Sequence, residues 1–100
     1  MAITSTVSAD GSQVTIYIQG RFDFSSHQEF RNAYEKLAKT PSRFRVDLQG
    51  TSYLDSSALG MLLLLKEKVV AANKTLALVN CRDAVKQVLR EFFEARNATF

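Results

Sequence analysis

The chain has 100 residues, of which 46% are hydrophobic and 23% charged, as in an ordinary globular protein. Its 13 basic and 10 acidic residues give a net charge of +3, and because the basic residues are scattered among acids, the charge does not predict nucleic-acid binding. A single cysteine excludes an internal disulfide, no Cys/His set suggests a metal site, and the longest apolar run, Met61 to Leu65, is far too short to span a membrane.

The first two elements predict an antiparallel hairpin. Val14, Ile16 and Ile18 alternate with their neighbours at period two, which is typical of a strand. A weaker alternation covers residues 3–8. Asp10-Gly11 lies between the two segments and is a turn signal, because Gly tolerates positive φ.

A helix follows the hairpin. Ser26-His27-Gln28-Glu29 matches a capping box, in which Ser and Glu satisfy free N–H groups at a helix start. Phe30, Ala33 and Tyr34 then fall at helical spacing. Thr40-Pro41-Ser42 is predicted to end this helix.

The middle of the chain predicts a strand, a loop and an apolar helix. Phe44, Val46 and Leu48 alternate with polar residues and indicate the third strand. The segment from Gln49 to Asp55 is predicted to be a loop. An apolar helix is expected from about Ser57 to Ala72.

Two further elements complete the chain. Thr75-Leu76-Ala77-Leu78-Val79 is apolar on both faces, as in a central parallel strand. Val85, Val88 and Leu89 indicate a last helix, and about residues 95–100 are expected to form a loose tail. The order β-β-α-β-α-β-α predicts an α/β fold in a single domain over residues 1–100. Its mixed β-sheet begins with the hairpin, continues with parallel strands and is covered by helices.

This topology predicts where a functional site would lie. In open α/β sheets, ligands and partners meet the carboxyl ends of the strands. The loop after the second strand carries Gly20-Arg21-Phe22-Asp23, and the loop after the third ends at Asp55-Ser56. If these strands are neighbours, Asp23 and Ser56 lie at the same end of the molecule.

The segment Tyr53-Leu54-Asp55-Ser56-Ser57-Ala58-Leu59-Gly60 permits three interpretations. Asp and Ser are favoured N-caps, so the segment can be purely structural. A serine nucleophile is the second interpretation, but it needs a nearby base. The only histidine is His27, and neither a G-x-S-x-G elbow nor a Gly-rich phosphate loop is present, so we do not expect an enzyme. The third is phosphorylation, which adds about −1.5 to −2 charges at a helix N-terminus that tolerates an anion.

Two motifs resemble the STAS domains of bacterial anti-sigma factor antagonists. Leu54-Asp55-Ser56-Ser57-Ala58-Leu59-Gly60 looks like the phosphorylation motif of that family, an apolar residue followed by D-S-[ST]-G-L-G. Gly20-Arg21-Phe22-Asp23 is similar to its G-x-L-D segment, with Phe22 in place of Leu. The order of elements agrees from about residue 3 to residue 94.

The resemblance implies a STAS fold and a phosphorylation-switched partner. The unphosphorylated protein would bind an anti-sigma factor or related regulator, so that a sigma factor is released. A serine kinase, often the anti-sigma factor itself, would phosphorylate Ser56 in preference to Ser57, and a phosphatase would reset the switch. The alternative is a soluble STAS accessory subunit of a lipid-transport ATPase complex.

The resemblance also implies a partner surface that includes Asp23, Asp55, Ser57, Ala58 and Gly60. Ala58 departs from the motif, which usually has Gly there. Ala fits if this position is helical, but it would be strained at positive φ. We expect a cytoplasmic protein without a signal peptide or cofactor, monomeric when free, that neither binds nucleic acid directly nor inserts into membranes.

Overall fold

A computed structural model describes residues 2–35 and 41–94. The strands are β1 (Ala2–Val7), β2 (Gln13–Phe22), β3 (Arg43–Asp47), β4 (Thr51–Leu54) and β5 (Thr75–Val79). The helices are α1 (His27–Glu35), α2 (Ser56–Ala71) and α3 (Asp83–Glu94). The last residues predicted for the first helix and the predicted tail at 95–100 lie outside the described residues.

The sheet has the predicted mixed topology. Its order is β1-β2-β3-β5, and β4 also pairs with β2. β1 runs antiparallel to β2, whereas the pairs of β2 with β3, β2 with β4 and β3 with β5 are all parallel. The α/β prediction, the opening hairpin and the parallel strands that follow are therefore confirmed.

The turn of the hairpin is fixed by its own polar groups. Gly11 adopts a φ of 75°, the left-handed conformation that favours glycine. The Asp10 carboxylate accepts hydrogen bonds from the hydroxyls of Ser8 and Ser12, both at 2.7 Å. These bonds lower the pKa of Asp10 far below its usual range. The Asp10-Gly11 signal therefore marks the turn correctly.

The segment predicted as a loop between residues 49 and 55 contains a strand, β4. The first half of β2 pairs with β3, and its last three residues pair with β4. The register of this second pairing shifts between Gly20 and Arg21. Gly20 has a φ of 89° and donates its N–H to the Gly50 carbonyl at 2.9 Å. A Cβ on Gly50 would lie 2.9 Å from Cγ of Gln19. The two glycines thus allow the close backbone contact at which β2 changes partners.

A 3-10 turn that was not predicted precedes the first helix. The turn covers Phe24–Ser26, and its N-cap is Asp23. Ser26 is buried, and its hydroxyl oxygen accepts the Asp23 N–H at 3.4 Å. Glu29 accepts the N–H of Ile3 at 3.1 Å and so ties α1 to β1. Asp23 therefore caps the 3-10 turn, and α1 begins at His27, directly after the predicted cap Ser26.

The core lies between the sheet and the helices. It contains Val14, Ile16 and Ile18 of β2 together with Leu62 and Leu65 of α2, all at most 1% exposed. Burial of this apolar surface is the main favourable contribution to folding. Among residues 2–35 and 41–94, no helix is both long and apolar enough to cross a membrane.

Candidate functional site

The predicted site residues follow two strands that are direct neighbours. Phe22 of β2 lies opposite Leu54 of β4, and the Asp55 N–H donates to the Phe22 carbonyl at 3.4 Å. Asp23 and Asp55 are the next residues of the two strands. The structure therefore brings Asp23, Asp55 and Ser56 to one end of the molecule, which we call the Ser56 end.

Asp55 caps α2 and leaves the serine after it free. Its backbone is extended, with φ −106° and ψ −178°, and Oδ1 accepts the Ala58 N–H at 2.9 Å. Ser56 is the first helical residue and is exposed. Its hydroxyl makes no hydrogen bond to any residue that the structure describes. One residue thus supplies the structural cap, and the neighbouring hydroxyl remains accessible to another protein.

Asp23 is held in position by the 3-10 turn that it caps. Its Oδ1 accepts the N–H and the hydroxyl of Ser25 at 3.0 and 2.6 Å. The Ser25 hydroxyl holds the pKa of Asp23 below its usual range, so the carboxyl is ionised at neutral pH. Arg21 Nε lies 3.8 Å from Asp23 Oδ2, and the Arg21 guanidinium stacks 4.2 Å from the ring centroid of Tyr53. This cation links the ends of β2 and β4.

Beside these polar groups lies an apolar groove of about 410 Å³, which we call the Phe24 groove. It is lined by Phe24, His27, Ser57, Gly60, Met61 and Leu64. The Phe24 side chain is 73% exposed and stacks on the His27 ring, with 6.1 Å between centroids and 15° between planes. Leu64 is 51% exposed. Large apolar side chains this exposed mark a candidate contact surface.

The sequence did not single out Phe24 or Leu64 for this site. Phe24 directly follows Asp23 in the loop after a strand, which is where the topology places partner contacts. Leu64 belongs to a helix that is apolar on nearly all sides, so one of its faces had to be exposed or covered by a partner. The place of Phe24 after the strand and the place of Leu64 in the apolar helix could have indicated the groove.

Ala58 and Gly60 have different surroundings. Ala58 is fully buried, and its φ is not positive, so alanine fits this helical position. It supports the site by packing beneath it. Gly60 is half-buried, lines the groove and has open space where a Cβ would be.

Groups for metal or nucleophilic chemistry are not assembled in the described part of the chain. No cluster of three or more His, Cys, Asp or Glu side chains there could hold a metal ion. The hydrogen bonds among these residues include none between His27 and Ser56 or Ser57. The arrangement instead presents a hydroxyl, two carboxylates and an apolar groove on one surface.

Comparisons with known proteins agree with this fold. The sequence model of the family described as "Mlab, STAS domain" matches residues 5–92. The STAS-domain containing protein PA14_20770 of Pseudomonas aeruginosa (strain UCBPP-PA14) is 56% identical over 89 residues, which cover 89% of this chain and 88% of that protein.

Solved structures share the fold at low sequence identity. The anti-sigma factor antagonist SpoIIAA in its unphosphorylated form matches with a TM-score of 0.74 and 18% identity, over 89% of this chain and 82% of that one. The phosphorylated form of SpoIIAA, a Bacillus cell fate determinant, gives 0.75 and 17%, over 96% and 84%. A sulfate transporter family protein from Wolinella succinogenes gives 0.73 and 22%, over 90% and 74%.

Proposed function

Because this chain belongs to the STAS domain family, we propose that it is a phosphorylation-switched anti-sigma factor antagonist. With Ser56 unphosphorylated, it binds an anti-sigma factor or a related regulator. With Ser56 phosphorylated, it releases that partner. It acts in the cytoplasm as a single domain over residues 1–100, monomeric when free, and it is not an enzyme.

The observation that carries this proposal is the division of roles between Asp55 and Ser56. Asp55 already caps α2 through the Ala58 N–H, so the fold does not need the Ser56 hydroxyl. Ser56 is exposed at the first position of the helix, where a kinase can reach it. A phosphate there meets the free N–H groups and the positive end of the helix dipole, which tolerate an anion.

The phosphate acts on the surface rather than on the fold. It adds about −1.5 to −2 charges beside the carboxylates of Asp23 and Asp55. A partner packed on the Phe24 groove and the Ser56 end would have to desolvate this charge or accept like-charge repulsion. Asp23, Asp55, Ser57 and Gly60 form the proposed contact surface, with Ala58 as a packing residue below it. A serine kinase and a phosphatase set the phosphorylation state.

The test compares partner binding by wild type, by Ser56→Ala and by protein carrying phosphoserine at position 56. The matched control is Ser52→Asp, which adds negative charge at an exposed position of the adjacent strand β4. We expect wild type, Ser56→Ala and Ser52→Asp to capture the same anti-sigma factor, and the phosphoserine protein to lose it. Intact-mass analysis and peptide mapping of protein from cells should locate the phosphate on Ser56. Identical partners for all four proteins, or a phosphate found only elsewhere, would refute the switch.

A second candidate function is an accessory subunit of a lipid-transport ATPase complex. The description of the matching family model, "Mlab, STAS domain", and the fold shared with a sulfate transporter family protein favour it. Co-purification separates the two functions. An anti-sigma factor or a kinase that binds in a Ser56-dependent manner supports the first, and a transporter ATPase that binds irrespective of the phosphate supports the second.

A further inference from the structure

A glycine lies in the interior of α2, where nothing within the described protein requires it. Gly60 is not at positive φ, and a Cβ built there meets no atom within 4 Å. Glycine is the poorest helix former after proline, so this position lowers helix stability without an internal packing reason. A glycine would be required here if the backbone of another protein approaches α2 closely at this position.

Gly60 lies where such an approach is possible. It lines the Phe24 groove together with Phe24, His27 and Leu64, and the missing side chain exposes the backbone of α2. The wall on the other side is preformed, because Asp23 fixes the 3-10 turn and Phe24 stacks on His27. Small residues at helix crossings let two backbones come close together, and the apolar rings and Leu64 supply the contact area.

Two cations lie beyond the far end of the groove, outside its lining residues. Arg31 lies one helical turn beyond His27, and Lys68 lies one turn beyond Leu64. Both bind the same carboxylate, Glu35, with N–O distances of 2.8 and 3.5 Å. Two cations facing one anion leave a net positive charge, and both cations are about half exposed. The complementary ligand is therefore apolar in the middle and acidic at this end.

We propose that the Phe24 groove binds an acidic amphipathic helix of the partner protein, which crosses α2 at Gly60. Its apolar residues, at i and i+3 or i+4, lie between Phe24 and Leu64, and its acidic residues face Arg31 and Lys68. This inference rests on the proposed function, because it places the partner's helix in the groove beside Ser56, where a phosphate would add a desolvation cost to binding.

A second copy of this chain does not have the required charge. The protein carries a net charge of +3. A two-fold axis along the groove would set Arg31 and Lys68 of one copy against those of the other, whereas an axis across it would set them against the end that carries Asp23 and Asp55. The net positive charge of the whole copy favours a partner of opposite charge over self-association.

The test uses a displayed library of 18-residue helices with randomised apolar and charged positions, selected against the full chain. We expect the selected helices to be acidic, to bind with Kd values of about 10 μM or tighter, and to shift the amide NMR signals of Phe24, Gly60 and Leu64. Gly60→Leu should weaken binding about tenfold or more, because its side chain fills the crossing point. Ala71→Leu, which enlarges an exposed residue of the same helix outside the groove, should leave binding unchanged. Lys68→Gln should weaken binding and reduce its salt dependence.

Gly60→Ala gives a readout that a structural role would not produce. It should raise Tm by about 4 °C because alanine favours the helix, and it should weaken binding of the same selected helices. Stability and binding therefore change in opposite directions. A fall in Tm would refute the claim that the fold has room for a side chain at this position.

Three outcomes would overturn the proposal: a library without binders, selected helices that are basic, or Gly60→Leu binding within twofold of wild type. A dimer of the wild type that Gly60→Leu dissociates would identify a second copy as the ligand instead. Failure of the switch is distinguishable. If protein carrying phosphoserine 56 still captures the cellular partner while Gly60→Leu loses it, the switch fails and the groove assignment remains. If phosphoserine 56 releases the cellular partner while Gly60→Leu retains it, the groove assignment fails and the switch remains.

Discussion

Replacing Asp55 by alanine removes the cap of α2, and we expect it to destabilise the protein by about 1.5 kcal/mol. The hydrogen bond from the Ala58 N–H to Asp55 Oδ1, 2.9 Å long, is lost, and loss of such a cap costs about 1 kcal/mol. Loss of the negative charge at the helix N-terminus adds about 0.5 kcal/mol. We take the contribution of the charge near the low end of the usual range because Asp55 is only half-buried and solvent screens its charge. For a domain of this size the change lowers Tm by about 6–12 °C.

The assay is urea unfolding followed by circular dichroism at pH 7, with a thermal melt as a second measurement. Asp55→Asn keeps an oxygen that can accept the Ala58 N–H and loses only the charge, so it should cost no more than about 0.5 kcal/mol. Glu67→Ala removes an exposed acid from the interior of the same helix and should stay within about 0.5 kcal/mol of wild type. The urea m-value should be the same in all variants, because the surface exposed on unfolding does not change.

Two results would refute this reasoning. If Asp55→Ala is as stable as wild type, the cap does not hold the start of α2. If Asp55→Asn is as damaging as Asp55→Ala, the charge rather than the hydrogen bond is what matters.

Three further predictions address the switch, the strand change and the hairpin turn. Ser56→Asp should change Tm by no more than about 3 °C, because a helix N-terminus accepts negative charge; a loss of cooperative unfolding would contradict this. Thr51→Val removes the buried hydroxyl that donates to the Ile18 carbonyl at 2.8 Å and should cost about 1–2 kcal/mol in urea unfolding, whereas an unchanged midpoint would show that β4 does not need this bond. Asp10 has a depressed pKa in the folded state, so its stabilising contribution is present above its unfolded pKa of about 4 and is lost as the pH falls below that value. The free energy of unfolding should therefore fall more steeply between pH 5 and pH 2.5 in wild type than in Asp10→Asn, and parallel profiles would refute the assignment.

The sequence predicts most of the fold because local patterns decide it. Period-two alternation in β2, the Asp10-Gly11 turn and the apolar segment 75–79 are visible in short windows, and the structure has strands at the predicted positions. The observed α2 begins at Ser56, within one residue of the prediction. β2 was predictable because burial of one face produces a period-two sequence pattern. Segment 75–79 is a strand as predicted, but its prediction as a central strand is wrong: β5 is the last strand in the described sheet order, pairs with β3, and buries only Leu78.

β4 has no such sequence pattern. Thr51 and Leu54 are buried, whereas the two residues between them are exposed, so the strand does not alternate. It exists because β2 continues past β3 and needs another partner, which is a property of the whole sheet. The 3-10 turn that Asp23 caps was also not predicted, because a turn of three residues leaves no periodic pattern in the sequence.

The candidate site was predictable in its polar part and not in its apolar part. Asp55 and Ser56 lie in a recognisable motif directly before a helix. Phe24 and Leu64 are large apolar residues, which sequence reasoning assigns to the core by default. Only the packing of the 3-10 turn against α2 shows that both remain exposed.

The change of partner along β2 has a consequence for how the protein folds and opens. Pairing of β2 with β1 is local and can form early, whereas pairing with β4 closes a long loop and engages only the last three residues of β2. Because the β2–β4 ladder is short and contains a register shift, we expect this corner to be less protected than the rest of the sheet. In native-state hydrogen exchange, the amides of β4 should exchange faster than those of β3. That result would mean that the strand leading to Ser56 opens more readily than the rest of the sheet.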